Sequence, residues 1–107
     1  MKRFGQTIRL KPEGVDEYIR LHAETWPGVL AKIKECNIAN YSIFRKDNTL
    51  FAYFEYTGND FTGDMIRMAA DPEMQRWWEV VKPLMEPIET RKPGEFWADM
   101  SEIFHVD

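Results

Sequence analysis

The stretch Ala39-Asn40-Tyr41-Ser42-Ile43-Phe44-Arg45-Lys46-Asp47-Asn48-Thr49-Leu50-Phe51-Ala52-Tyr53-Phe54-Glu55-Tyr56 decides the fold. Residues 39 to 46 and 49 to 56 are rich in aromatic and β-branched side chains, and Asp47-Asn48 between them suits a tight turn, which predicts a hairpin. Side chains alternate across a strand, so Leu50, Ala52 and Phe54 point one way while Phe51 and Tyr53 point the other. Both faces of the hairpin are therefore apolar. A sheet covered by helices on one face alone does not need this. The simplest cover for the second face is another copy of the same sheet, which predicts a homodimer.

Working outward from the hairpin, residues 2 to 10 alternate, with Phe4, Gln6, Ile8 and Leu10 on one side, and read as a first strand. After Pro12-Glu13-Gly14, the side chains Val15, Ile19, His22 and Trp26 recur at helical spacing, so a helix begins near Glu13 with these four on one face. Pro27 lacks an N–H and clashes with the preceding turn, which predicts a kink or restart at Trp26-Pro27 before Val29 or Leu30, with Ile33, carries the apolar face onward to Cys36. Beyond the hairpin, residues 60 to 70 and 72 to about 85 read as helices, the second opened by Asp71-Pro72 as N-cap and first-turn proline. Pro83, Pro87, Pro93 and Gly94 mark a loop, and Glu95 to Val106 reads as a last strand. The order β-α-β-β-α-β is the ferredoxin-like pattern, an α+β fold with an antiparallel sheet and helices on one face. No repeat, linker or low-complexity segment divides residues 1 to 107, so one domain is expected.

Composition narrows the function. The chain has 107 residues, 44% hydrophobic and 14% aromatic, enough for a packed core but too short for a separate cofactor domain. The net charge of −4 is spread without Lys/Arg blocks, so no nucleic-acid partner is expected. No apolar run of membrane-spanning or signal-peptide length occurs, and a cytosolic protein without membrane attachment is expected. The single cysteine, Cys36, rules out an internal disulfide and reads as a partly buried small apolar residue, since no His or Lys lies beside it. A phosphate-binding glycine loop, a nucleophile elbow, an H-E-x-x-H helix and an EF-hand run are all missing, and Glu17, Glu24, Glu35 and Glu79 fall on outward faces. Neither a metal nor a cofactor is expected; neutral small molecules remain as ligands.

The chain has only two histidines, His22 and His105. His105 lies within the last expected strand. His22 lies on the inward face of the first helix, where it must either find a structural hydrogen-bond partner or stand at the wall of a cavity. Tyr18, one turn earlier, brings a second polar-tipped ring to nearly the same face. Tyr41, if it faces the helices, lies over that helix; its alternative is a core tyrosine with its hydroxyl at the rim. Trp77-Trp78 is the least ordinary dipeptide: helical neighbours point about 100° apart, so one ring can pack the core while the other walls a cleft, or the two divide between core and interface. Flat apolar rings beside hydroxyls and an imidazole suit a sugar, with its apolar C–H faces and hydroxyl edges.

The blocks Tyr18-x-x-x-His22-x-x-x-Trp26-Pro27, Asn40-Tyr41, Gln75-Arg76-Trp77-Trp78 and Met100-Ser101-Glu102-Ile103-Phe104-His105 together resemble the L-rhamnose mutarotase family along nearly the whole chain. The resemblance implies a dimeric α/β barrel built on the ferredoxin-like fold, and an isomerase acting on a monosaccharide without a cofactor. It implies His22 as catalytic proton donor and Tyr18, Tyr41, Trp77 and Trp78 as substrate-binding residues. The family pattern carries an acidic residue where this chain has Gly28, and the segment Thr57 to Met65 matches nothing in it and can reshape the pocket entrance. Two other functions stay open on the fold: a non-catalytic sugar- or metabolite-binding dimer, and a cofactor-free monooxygenase, which would consume dioxygen.

Overall fold

The computed structural model describes residues 1–107 and contains one five-stranded antiparallel sheet and four helices. Strand β1 spans Lys2–Leu10, helices α1 and α2 span Val15–Ala23 and Pro27–Glu35, and strands β2 and β3 span Ile38–Lys46 and Thr49–Tyr56. Helices α3 (Phe61–Ala70) and α4 (Pro72–Val81) follow, then two short strands, β4 (Met85–Glu86) and β5 (Ala98–Met100). The sheet runs β2-β3-β1-β4, with β5 also pairing β1. This is the ferredoxin-like order, with the fourth strand broken in two.

Proline and aspartate place the helix boundaries. Pro27 holds Trp26 extended, and of the expected kink or restart the chain takes the restart, with separate helices α1 and α2. Asp60 accepts a hydrogen bond from the Gly63 amide and Asp71 one from the Met74 amide, capping α3 and α4 at otherwise unpaired donors. At the start of α2 the amide of Gly28 donates to the Glu73 carboxylate at 3.1 Å, in a position from which a Cβ at residue 28 would displace that carboxylate. A carboxylate from α4 thus meets the N-terminus of α2, where unpaired amides and the helix dipole favour a negative charge.

The main core lies between the sheet and the helices, where Ile8, Leu10, Val29 and Leu50 are each about 1% exposed or less. Each contributes about 1.5–3 kcal/mol by leaving water. Cys36 is fully buried, in keeping with its small apolar reading. The hairpin faces divide as the alternation requires: Leu50, Ala52, Phe54 and Tyr56 are buried toward the helices, while Phe51 and Tyr53 lie on the opposite face.

Four expectations need correction. The inward stripe of α1 is centred on Tyr18 and Leu21, and Ile19 is exposed, because the break at Pro27 frees α1 to rotate away from the face that one continuous helix would present. Helix α4 ends at Val81, where Pro83 turns the chain through a short 3-10 segment. The last strand is confined to Ala98–Met100, since Arg9 and Leu10 of β1 pair with Glu86 and Met85 instead. His105 consequently lies in the tail beyond the sheet, beside Asp107.

The segment Thr57 to Met65 is the fourth correction, for it stands away from the cavity described below. Its Asp64 is buried and accepts hydrogen bonds from Asn37, Tyr56 and Arg67, tying the start of α3 to the β2–β3 end of the sheet. No helix is long and apolar enough to cross a membrane.

Candidate active site

Helices α1 and α4 and strand β2 enclose a cavity of about 190 Å³ on the helical side of the sheet. Tyr18, His22 and Tyr41 supply its polar groups, and Trp77 and Trp78 two of its walls, so the five residues singled out in the sequence all reach one space.

Helical spacing sets the first pair. Four residues apart on α1, the Tyr18 and His22 rings stack with centroids 4.0 Å apart. His22 Nδ1 lies 2.8 Å from the Tyr18 carbonyl oxygen, which can only accept, so Nδ1 carries the proton. The α1 C-terminus is held as Thr25 Oγ1 donates to the His22 carbonyl. Trp77 meets the imidazole edge-on at 5.1 Å and Trp26 at 5.2 Å, fixing the ring from the α4 side. His22 Nε2 and the Tyr18 hydroxyl have no protein partner. Neither is a sealed orphan, because no buried side-chain nitrogen or oxygen in the chain lacks a partner; both open into the cavity.

Tyr41 reaches the same space through an irregularity. Between Ala39 and Ser42 strand β2 carries two residues, Asn40 and Tyr41, against the single Phe54 of β3. This bulge is made possible by the left-handed backbone of Asn40 (φ 51°), and Asn40 Nδ2 donates to Glu55 on the outer face. Regular pairing would send residue 41 outward. The extra residue sends it inward, where its ring lies 5.4 Å from that of Phe54.

Burial governs the protonation of these groups. It lowers the His22 imidazole below its ordinary 6.5, opposed in part by the hydrogen bond to Tyr18. It raises the Tyr18 hydroxyl, with the neighbouring Tyr41 adding to the rise, and desolvation of the hydroxyl pushes Tyr41 up to about 12 although the residue as a whole is 41% exposed. The site at neutral pH thus holds a mostly neutral imidazole, with Nε2 as an open lone pair, and two protonated hydroxyls. No group of three or more His, Cys, Asp or Glu side chains gathers anywhere in the fold to hold a metal ion.

The model of the family described as L-rhamnose mutarotase matches residues 3–106. The chain belongs to the L-rhamnose mutarotase family. It is 35% identical to the L-rhamnose mutarotase of Oceanobacillus iheyensis and 33% identical to that of Lactiplantibacillus plantarum, each over the full length of both chains. Among solved structures, the L-rhamnose mutarotase of Formosa agariphila superposes with a TM-score of 0.77 at 22% identity, covering both chains completely. The tetracenomycin F2 cyclase of Streptomyces glaucescens, a type-II polyketide cyclase, superposes with a TM-score of 0.68 at 16% identity, again over both whole chains, and shares the fold.

Within this mutarotase-family cavity several lining residues went unrecognised in the sequence. Ile43, Val81 and Met85 form apolar lining, Phe96 and Trp97 close the remaining wall, and Lys82 stands at the rim. The aromatic pair Phe96-Trp97, one residue beyond Pro93-Gly94, was the available signal, hidden because both residues also fit a strand. His105 is not among the residues around the cavity.

Proposed function

We propose that this protein interconverts the α and β anomers of L-rhamnose or a closely related deoxyhexose, and is thus an isomerase of the racemase/epimerase type. Membership of the L-rhamnose mutarotase family supports the substrate. The observation that carries the reaction is His22, whose Nδ1 is tied to Tyr18 while Nε2 opens into an aromatic cavity.

Anomer exchange opens the ring: the C1–O5 bond breaks, C1=O1 forms, the O1 proton leaves and O5 gains one. Both oxygens are bonded to C1, so a single nitrogen facing C1 can serve both. Neutral Nε2 takes the O1 proton, and the resulting imidazolium gives it to O5 as the ring opens. His22 is thereby the proton donor at the ring oxygen, with no net proton consumed. Rotation about C1–C2 and the reverse steps close the ring on the other face. Tyr18 and Tyr41, kept protonated by their raised pKa values, donate hydrogen bonds to the oxygen that carries negative charge on the way. Trp77 and Trp78 hold the apolar face of the sugar. A positioned acid–base group supplies about 10²–10⁴-fold, enough for a reaction that already proceeds in water.

The test is saturation-transfer NMR between the anomers of L-rhamnose with and without protein. Acceleration that disappears in His22→Ala while the fold persists is expected; exchange no faster than in buffer would overturn the reading. Heat protection by the sugar without faster exchange would instead fit a binding protein. A parallel measurement with L-fucose ranks the substrates.

We further propose that the protein works as a homodimer in the cytoplasm. The sheet face away from the helices carries Phe44 and Phe51, 61% and 40% exposed, with their rings 6.3 Å apart, and on β5 the exposed Met100, which pairs with Gly5 on the same face as Tyr53. The adjoining tail presents Ile103, Phe104 and Val106 to solvent. A second copy of this face supplies matching apolar cover. Light scattering at micromolar concentration should give twice the chain mass, and Phe51→Glu the single mass; a wild-type monomer would count against the dimer. In the cytoplasm the free Cys36 thiol stays reduced.

A further inference from the structure

One wall of the cavity is not built on regular structure. Between β4 and β5 the chain runs through Pro87–Trp97, leaving β1 at Arg9-Leu10 and returning to it at Gly5–Thr7. The hydrogen bonds of this loop are local: the Arg91 amide donates to Ile88, the Glu95 amide to Lys92, and the Glu95 carboxylate accepts from the amides of Lys92 and Asp99. None reaches a helix or β1. Attachment to the body therefore rests on side chains, with Phe96 and Trp97 packed against the core. Gly94 sits at φ 88° with nothing within 4 Å of where a Cβ would stand, a backbone state and an open surround that let the loop pivot.

Lys82 stands just beyond the end of α4. Glu79 and Glu86 flank it in the sequence, yet it forms no ion pair with either. Its Nζ instead lies 4.7 Å from the Trp78 ring centroid and 5.1 Å from that of Phe96. Trp78 belongs to α4 and Phe96 to the loop, and both rings line the cavity. A cation between two ring faces is attracted to each, so Lys82 joins the loop to the helix across the mouth of the site.

We infer that Pro87–Trp97 is the gate of the sugar cavity and that Lys82 is a positioning residue that latches it, by holding Phe96 against Trp78. The inference builds on the sugar-site reading above. With the latch made, Phe96 and Trp97 close the wall and keep bulk water from competing for His22 Nε2; with it broken, the same residues swing aside to admit or release the sugar.

Lys82→Met keeps the apolar stem and removes the charge, and Lys82→Arg restores a cation that stacks on rings. Arg91 is exposed within the loop, so tryptic cleavage after it, followed by mass spectrometry without any sugar, reports opening. Lys82→Met should raise that cleavage rate about fivefold to thirtyfold, and Lys82→Arg should return it toward the wild-type rate. Phe96→Leu, which removes the ring from the other side of the contact, should match Lys82→Met. In exchange measurements the loss in Lys82→Met should fall on KM more than on kcat. Equal cleavage rates in wild type and Lys82→Met, or a fall in kcat with KM and cleavage unchanged, would overturn the latch. Absence of L-rhamnose exchange in the wild type would overturn the sugar reading alone, and the cleavage rates would still decide the latch.

Discussion

His22 Nδ1 and the Tyr18 carbonyl oxygen lie 2.8 Å apart, one helical turn from each other, and this contact fixes which imidazole nitrogen meets the substrate. The neutral ring keeps its proton on Nδ1 and offers Nε2 as a base. Burial holds its pKa below 6.5, so the neutral form gains population as pH rises through that lowered value and is the majority form at neutrality. The protein-dependent exchange rate should therefore be level at neutral and mildly alkaline pH and fall on acidification, with its midpoint below 6.5. Saturation transfer between about pH 5 and 8, corrected for exchange in buffer, measures this. A rate that climbs on acidification would mean that preformed imidazolium is the active form.

Tyr18→Phe separates the hydroxyl from the ring. The substituted ring still stacks on His22, and the Tyr18 carbonyl that orients Nδ1 belongs to the main chain. Because the hydroxyl has no protein partner, its removal should leave folding stability within about 0.5 kcal/mol of wild type or raise it. Exchange should drop about tenfold, the worth of roughly one hydrogen bond to a charged oxygen. A thermal melt with the NMR assay checks both, and unchanged exchange would remove the Tyr18 hydroxyl from the reaction.

The parts of this molecule legible in the sequence are those governed by one local rule. Alternation along Leu50–Tyr56 fixes both sheet faces, and the four-residue spacing of Tyr18 and His22 brings their rings together. Features set by competition between distant segments are less legible. Phe96 and Trp97 suit a strand as well as a loop, and only the claim of β4 on Arg9 and Leu10 excludes them from the sheet. Ile19 has the spacing of an inward residue, yet it is 46% exposed once Pro27 separates α1 from α2. Lys82 gave no signal because a lone lysine after a helix usually means a solvated charge, and its two ring partners are brought together only by the fold.

The inward aim of Tyr41 depends on the extra residue in β2, which makes deletion of Asn40 a sharp test. Without the bulge, Tyr41 should pair regularly and turn to the outer face, away from His22. The deletion variant should keep its sheet by circular dichroism while its KM for L-rhamnose rises about tenfold or more, as a buried hydrogen bond to the sugar is lost. Asn40→Gly, which accepts the left-handed backbone freely, should retain the wild-type KM. A deletion variant with unaltered KM would show that Tyr41 does not contact the sugar.

Asp64 tests whether the α3 end of the fold is independent of the site. Its carboxylate accepts from Asn37, Tyr56 and Arg67 in a buried setting, although Arg67 is itself 54% exposed and adds little by its charge. Asp64→Ala leaves the Tyr56 hydroxyl and the Asn37 amide without that acceptor, which should cost about 2–3 kcal/mol in a urea melt. None of these groups lines the cavity, so at a temperature where the variant is folded its KM and kcat for L-rhamnose should match wild type. Loss of exchange in a fully folded Asp64→Ala protein would mean that α3 is coupled to the cavity, either through the sheet between Tyr56 and the bulge at Tyr41 or through its packing on α4.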